Sequence, residues 1–206
     1  VESEIVRDKR TMQSKSLERL RQTIIGFFAA NQFHQVGMRD ICAKAGVSPK
    51  TVYKYFGSKQ ELLIACIEKD LALLSQMCDE RLGDANDVRE EVEALAMTQF
   101  EFYAKRKTLA KMVYLNIPAS MWVDDESEAQ MAFQKMLNGL LQRYHGAKGA
   151  FRNINVSVLE DIAAGGAARI IVRWLAGGAR ADLLEMGRQY TDVMVAIVEL
   201  SRSSKR

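Results

Sequence analysis

From Ser14 onward the apolar residues fall at Leu17, Leu20, Ile24, Phe27 and Phe28, in steps of three and four. That spacing predicts an amphipathic helix ending near Asn31. A short segment follows with Met38, Ile41, Cys42 and Ala45 on one face, opened by Gly37 and closed by Gly46. Glycine just past a helix end is the usual stop. Ser48 then precedes Pro49, and serine at the cap with proline at the first turn predicts a third helix from Pro49 to about Tyr55, broken at Gly57. Ser58 caps a fourth from Lys59 to about Leu82, with Glu61 in the first turn, where the helix dipole favours an acid. Beyond the GDAND loop at 83–87, helical patterns cover about 87–106, 107–117 and 124–145. Pro118 ends the second of these, the acids Asp124, Asp125, Glu126 and Glu128 open the third, and Gly146 and Gly149 mark a loop. Two strongly apolar helices, about 156–176 and 180–202, close the chain and are split by Gly177 and Gly178. No period-two alternation appears, so the expected fold class is all-α with about nine helices.

Composition narrows the class. With 48% hydrophobic residues and two prolines in 206 residues, the chain suits a packed helical globule. No apolar run approaches the ~20 residues of a membrane span, and the N-terminal VESEIVRDKR carries no signal-peptide core. The three cysteines, Cys42, Cys66 and Cys78, are odd in number and lack CxxC spacing. That argues against a disulfide framework or a zinc site and points to a reducing cytoplasm. Net charge is +3, but residues 1–61 hold eleven Lys/Arg against six Asp/Glu, while the remainder holds eighteen against twenty. A basic first third on a near-neutral body suits a polyanion partner for that third.

The short helices on either side of the AGVS turn have helix-turn-helix proportions, in which the second helix enters the DNA major groove. Ser48 and the helix N-terminal amides suit a phosphate. Lys50, Thr51, Lys54 and Tyr55 can reach base edges, while Val52 and Phe56 turn inward. Tyr53 and Lys59 are candidate donors to the sugar-phosphate backbone. Domains are therefore expected at 14–62 for DNA binding and 63–206 for the rest, after a flexible N-terminal arm at 1–13 that includes Arg7, Lys9 and Arg10.

The stretch IIGFFAANQF…MRDICAKAGVSPKTVYKYFGSKQELL resembles the DNA-binding domain of the TetR (tetracycline repressor) family over residues 14–65. The matching positions are Phe33, Asp40–Ile41, Ala45 to Ser48, Thr51, Tyr53, Tyr55–Phe56, Ser58–Lys59 and Leu62. Gln32 stands where the family usually has glycine, Gly37 where it has a hydroxyl residue, and Lys50 where glycine is common. The resemblance implies an N-terminal three-helix DNA-binding domain and a larger C-terminal helical bundle that binds a small effector and forms a homodimer. It also implies a tyrosine contact to phosphate at Tyr53.

For the dimer, Ile162, Gly166, Ile170 and Trp174, with Tyr190, Met194 and Val198, lie at i, i+4 spacing on the last two helices. Glycines in the run 163–168 suit close helix approach, across a dimer or inside one subunit. For an effector pocket of largely apolar character, the middle helices offer Phe100, Tyr103, Met112, Trp122 and Phe133 among other Phe and Met residues. Arg169 and Arg173, one turn apart, are candidates for an anionic ligand head. His34 and His145 are isolated, and no nucleophile–base pair, phosphate loop, metal cluster or cofactor motif appears. The expected function is a sequence-specific transcriptional regulator, a repressor released from a palindromic operator by an effector, and not an enzyme. The alternative is a DNA-bound adaptor of the same fold that recruits a protein partner without sensing a small molecule.

Overall fold

The computed structural model describes residues 14–118, 120–123, 128–145 and 154–203. The N-terminal arm, the acids at 124–127 and the glycine loop at 146–153 lie outside the described residues. Among those described the fold is all-α. Ten α-helices follow in order: α1 Ser14–Ala30, α2 Met38–Ala45, α3 Pro49–Phe56, α4 Lys59–Gly83, α5 Val88–Lys105, α6 Lys107–Lys111, α7 Ser120–Val123, α8 Glu128–Tyr144, α9 Val156–Ala176 and α10 Leu183–Ser203. A 3-10 turn at Phe33–Gln35 follows α1, and a π-helical turn at Met112–Asn116 follows α6.

These elements form two compact units. The first comprises residues up to Lys69 together with Lys111–Asp124, and the second Asp70–Ala110 with Asp125 onward. The division falls inside α4, seven residues beyond the 62/63 boundary expected from the sequence, because Cys66 and Ile67 still belong to the first core.

In the first unit Leu20, Ile24 and Phe28 of α1 pack with Ile41, Val52, Leu62 and Ile67, all without solvent exposure. Burying each such side chain is worth ~1.5–3 kcal/mol, which is what holds the short α2 and α3 in place. The Arg21 Nε donates to the Cys66 carbonyl at 3.0 Å, tying α1 to α4. Asn116, from the π-helical turn, donates to the Phe28 carbonyl at 2.7 Å.

In the second unit α10 lies along α5. Gly187 makes this possible: a Cβ there would stand 2.8 Å from Phe100 Cδ2. The Phe100 and Tyr190 rings meet edge to face at 5.6 Å. Tyr190 in turn donates its hydroxyl proton to the Ala163 carbonyl of α9 at 2.6 Å, and its ring fills the space a Gly166 side chain would need. The α9 helix stops at a Schellman turn, with Ala179 N–H to Trp174 O at 2.9 Å and Gly178 N–H to Leu175 O at 3.0 Å. Gly178 at φ 76° and Ala179 at φ 56° are both left-handed. They delay the last helix, expected from 180, until Asp182 caps Leu184 and Glu185.

Candidate functional site

Helix α3 is held by both its ends. Gly46, at φ 66°, completes a Schellman turn after α2, with Val47 N–H to Cys42 O at 3.0 Å and Gly46 N–H to Ala43 O at 3.4 Å. A left-handed residue costs little only as glycine. The chain thus reverses within three residues and reaches Ser48, whose Oγ accepts the Thr51 amide at 3.1 Å. Val52 is fully buried and anchors α3 to the core. That fixes which side faces out: Lys50, Tyr53 and Lys54 are exposed, while Thr51, Tyr55 and Phe56 are half-buried. Tyr53 is 51% exposed, unusual for a large aromatic.

Two details refine the expected roles. The Ser48 and Thr51 hydroxyls are hydrogen-bonded to each other at 2.8 Å. Each hydroxyl carries one proton, so the pair has a single proton left to donate outward. The N-terminal amides are also largely spent. Pro49 has none, Thr51 gives its own to Ser48 Oγ, and Val52 donates to Ser48 O at 3.1 Å. Among the described residues this leaves the Lys50 amide for an anion, fewer than the sequence suggested.

Lys59 stands elsewhere than the sequence suggested. Its ammonium donates to Phe33 O at 2.7 Å and Val36 O at 2.9 Å and lies 4.0 Å from the Phe33 ring centroid. Burial lowers its pKa from the ordinary lysine value. This lysine staples the 3-10 turn to α4. The Gly37 amide, where the family's hydroxyl is absent, is satisfied by Asp40 Oδ2 at 3.2 Å.

The second unit holds a half-open apolar cavity of about 40 Å³. On one side it is lined by Val92, Ala96 and Gln99 of α5 and by Phe133, Leu137 and Leu140 of α8. On the other side Ala163, Ala164 and Ala167 of α9 leave room that larger side chains would fill, and Tyr190, Met194 and Val198 of α10 close it.

Of the seven residues expected at an effector pocket, Phe133 alone lines this cavity. Phe100 and Tyr103 are core residues, and Met112 is fully buried in the first unit. Arg169 and Arg173 are exposed outside the cavity lining. The Trp122 side chain lies outside the described residues. The small alanines of α9 were the missed signal, because a cavity is made by what side chains leave empty.

The expected dimer residues also divide. Trp174, Met194 and Val198 are buried within their own chain, and Trp174 Nε1 donates to Ala181 O at 3.0 Å. Gly166 and Tyr190 are occupied with each other. Ile170 is half-buried, whereas Ile162 is 54% exposed. Ile162 shares its face of α9 with Val158, Gly165, Arg169 and Arg173, all exposed and spaced by three or four residues. Val193 of α10 is 58% exposed. The mid-helix Gly166 is therefore explained by packing inside one subunit, while Gly165 has nothing within 4 Å.

Among the described residues no group of three or more His, Cys, Asp or Glu could hold a metal ion, and no helix is long and apolar enough to cross a membrane. Burial pushes the Cys66 and Cys78 thiols up to about 12.

An outward-facing helix that follows a second helix across a tight glycine turn has the geometry of a helix-turn-helix. Residues 25–66 match the family described as bacterial regulatory proteins, tetR family. The chain is similar to the fatty acid metabolism regulator protein of Bacillus subtilis (strain 168), 19% identical over 170 residues, or 82% of this chain and 88% of that one. Its fold is shared with the fatty acid degradation regulator FadR from Bacillus halodurans, with TM-score 0.72 and 18% identity over 90% and 97% of the two chains. FadR from Bacillus subtilis in complex with stearoyl-CoA aligns with TM-score 0.69 and 18% identity over 86% and 96%.

Proposed function

We propose that this protein is a cytoplasmic, homodimeric repressor that binds a palindromic operator and is released by a largely apolar effector of the long-chain acyl thioester class. The observation that carries the effector class is the cavity wall: of its side chains, only Gln99 and Tyr190 bring polar atoms, and the Tyr190 hydroxyl is already bonded to Ala163. Such a wall favours hydrocarbon over a polar metabolite. The likeness to fatty acid regulators, one of them bound to stearoyl-CoA, supports the same class.

On the DNA side, Lys50, Tyr53 and Lys54 are the principal contacts, with Thr51 and Tyr55 at the base edges and Ser48 near a phosphate. Lys59 acts from inside the domain. Two copies join through the exposed face of α9 carrying Val158, Ile162, Arg169 and Arg173, together with Val193 of α10. Release requires that the effector bind the DNA-free state more tightly than the DNA-bound one.

The test is a melting curve and an operator-release assay with stearoyl-CoA, against coenzyme A alone. Stabilisation and DNA release by the acylated compound only are expected. Equal effects of both compounds, or none, would remove the acyl tail from the account.

A further inference from the structure

The cavity is too small for the ligand class just proposed. At about 40 Å³ it has room for about three waters at ~10–15 Å³ each, so one wall must move for a long hydrocarbon chain to be buried there. Three of its four walls are knitted together. Gly187 lets Phe100 sit against the α10 backbone, the Phe100 and Tyr190 rings meet at 5.6 Å, and Tyr190 donates to the Ala163 carbonyl at 2.6 Å. Separating α5, α9 and α10 would break all of these at once.

The fourth wall, α8, is seated unevenly. Toward its C-terminal end it is clamped: Leu140 and Leu141 are buried, Arg143 Nη2 donates to Glu91 Oε1 at 2.9 Å and the Tyr144 hydroxyl to Glu91 Oε2 at 2.5 Å. Toward the N-terminus the seat loosens. Phe133, Met136 and Leu137 are half-buried and Met131 is 47% exposed. Among the described residues, the side chains of 131–139 make no hydrogen bond to another helix.

Between the two parts stand Asn138 and Gly139, both poor helix formers. Packing does not require the glycine, since an added Cβ would meet only the end of the Arg143 side chain, at an ordinary 3.9 Å.

We infer that residues 131–138 of α8 form a flap that swings about Asn138–Gly139 and admits the apolar ligand past Phe133 and Leu137, while the Glu91 clamp holds residues 140–144 in place. The inference rests on the proposed effector class for its ligand, but the motion can be tested without one. Gly139→Ala removes the weak point without a clash.

The experiment is backbone hydrogen exchange on the full chain, wild type and Gly139→Ala, paired with stopped-flow uptake of cis-parinaric acid, a fluorescent eighteen-carbon fatty acid. In the wild type, amides of 139–142, whose acceptors are the carbonyls of 135–138 across the hinge, should exchange at least about tenfold faster than those of α10. In the variant that exchange and the uptake rate should each fall about fivefold, the factor the alanine preference over glycine in a helix gives. Because the occupied cavity is the opened one, affinity should fall by the same factor with the dissociation rate unchanged. Amides of 139–142 as protected as those of α10 would overturn the flap. So would a variant that melts higher yet takes up the acid as fast as wild type. If the exchange pattern holds but neither parinarate nor stearoyl-CoA binds wild type, the effector class fails and the flap stands.

Discussion

Lys59→Met separates two roles for one lysine, a phosphate contact or an internal staple. Methionine keeps the apolar stem beside Phe33 and removes only the ammonium. The loss is two charge-assisted hydrogen bonds, at 2.7 and 2.9 Å, to the Phe33 and Val36 carbonyls. Hydrogen bonds to charged groups are worth ~1.5–3 kcal/mol each. Lys59 is half-buried, so water can reach the freed carbonyls, and a net loss of about 2 kcal/mol is expected. In a chain of this size that lowers Tm by roughly 4–8 °C. The second readout is the salt dependence of operator binding, where each phosphate contact contributes about −0.9 to the slope of log K against log salt. Lys59→Met should leave that slope unchanged. Lys50→Ala should flatten it by about 0.9 per subunit, about 1.8 for a dimer, with stability within ~0.5 kcal/mol of wild type. If Lys59→Met melts like wild type and flattens the slope as Lys50→Ala does, the staple account is wrong.

Other outcomes follow from packing and burial. Gly187→Ala should cost ~1–3 kcal/mol in thermal unfolding, because the new methyl would stand 2.8 Å from a fully buried Phe100 ring. Gly165→Ala, with nothing within 4 Å, should gain up to ~1 kcal/mol from helix preference, measured on the monomer at low concentration. Thr191 Oγ1 is buried without a partner among the described residues. Thr191→Val should therefore stabilise by ~1 kcal/mol or more, seen as a Tm rise of about 2–4 °C. The Cys66 and Cys78 pKa values stand at about 12 in the folded chain against 9.0 ordinarily. A raised folded pKa means that the stabilisation is complete below pH 9.0 and falls as pH rises toward about 12. Each thiol then contributes a loss of ~1.4 kcal/mol per pH unit in that window. At neutral pH both should resist a thiol reagent until the protein unfolds.

Helix α3 was legible in the sequence because its determinants are local. Ser48–Pro49 and Gly46 act within three residues of the element they bound, and Val52 shows the inward face through periodicity alone. Tertiary roles were hidden for the same reason. Nothing near Lys59 in the chain reveals the carbonyls of Phe33 and Val36, more than twenty residues away. The large apolar side chains drew attention to Phe100, Tyr103 and Met112, yet these fill a core, and the cavity is bounded by alanines whose small size says nothing until α9 faces α5. The four-residue α7 and the π-helical turn at 112–116 lacked a periodic signal of their own. The dimer spacing chosen on α9 started at the exposed Ile162 but then ran through Gly166 to the buried Trp174, off the stripe that carries the exposed Val158 and Arg169, because a helix apolar on two faces does not say which one its own chain covers.

The most direct test is a titration of the purified protein onto the DNA upstream of its own gene, at two salt concentrations, alongside random DNA of equal length and a Lys50→Ala, Tyr53→Phe variant. The account predicts tight, salt-sensitive and sequence-selective binding by wild type and a loss of at least about tenfold in the variant, whose melting temperature is unchanged. Equal affinity for both DNAs, or a variant that binds as well as wild type, would contradict the claim that α3 reads an operator.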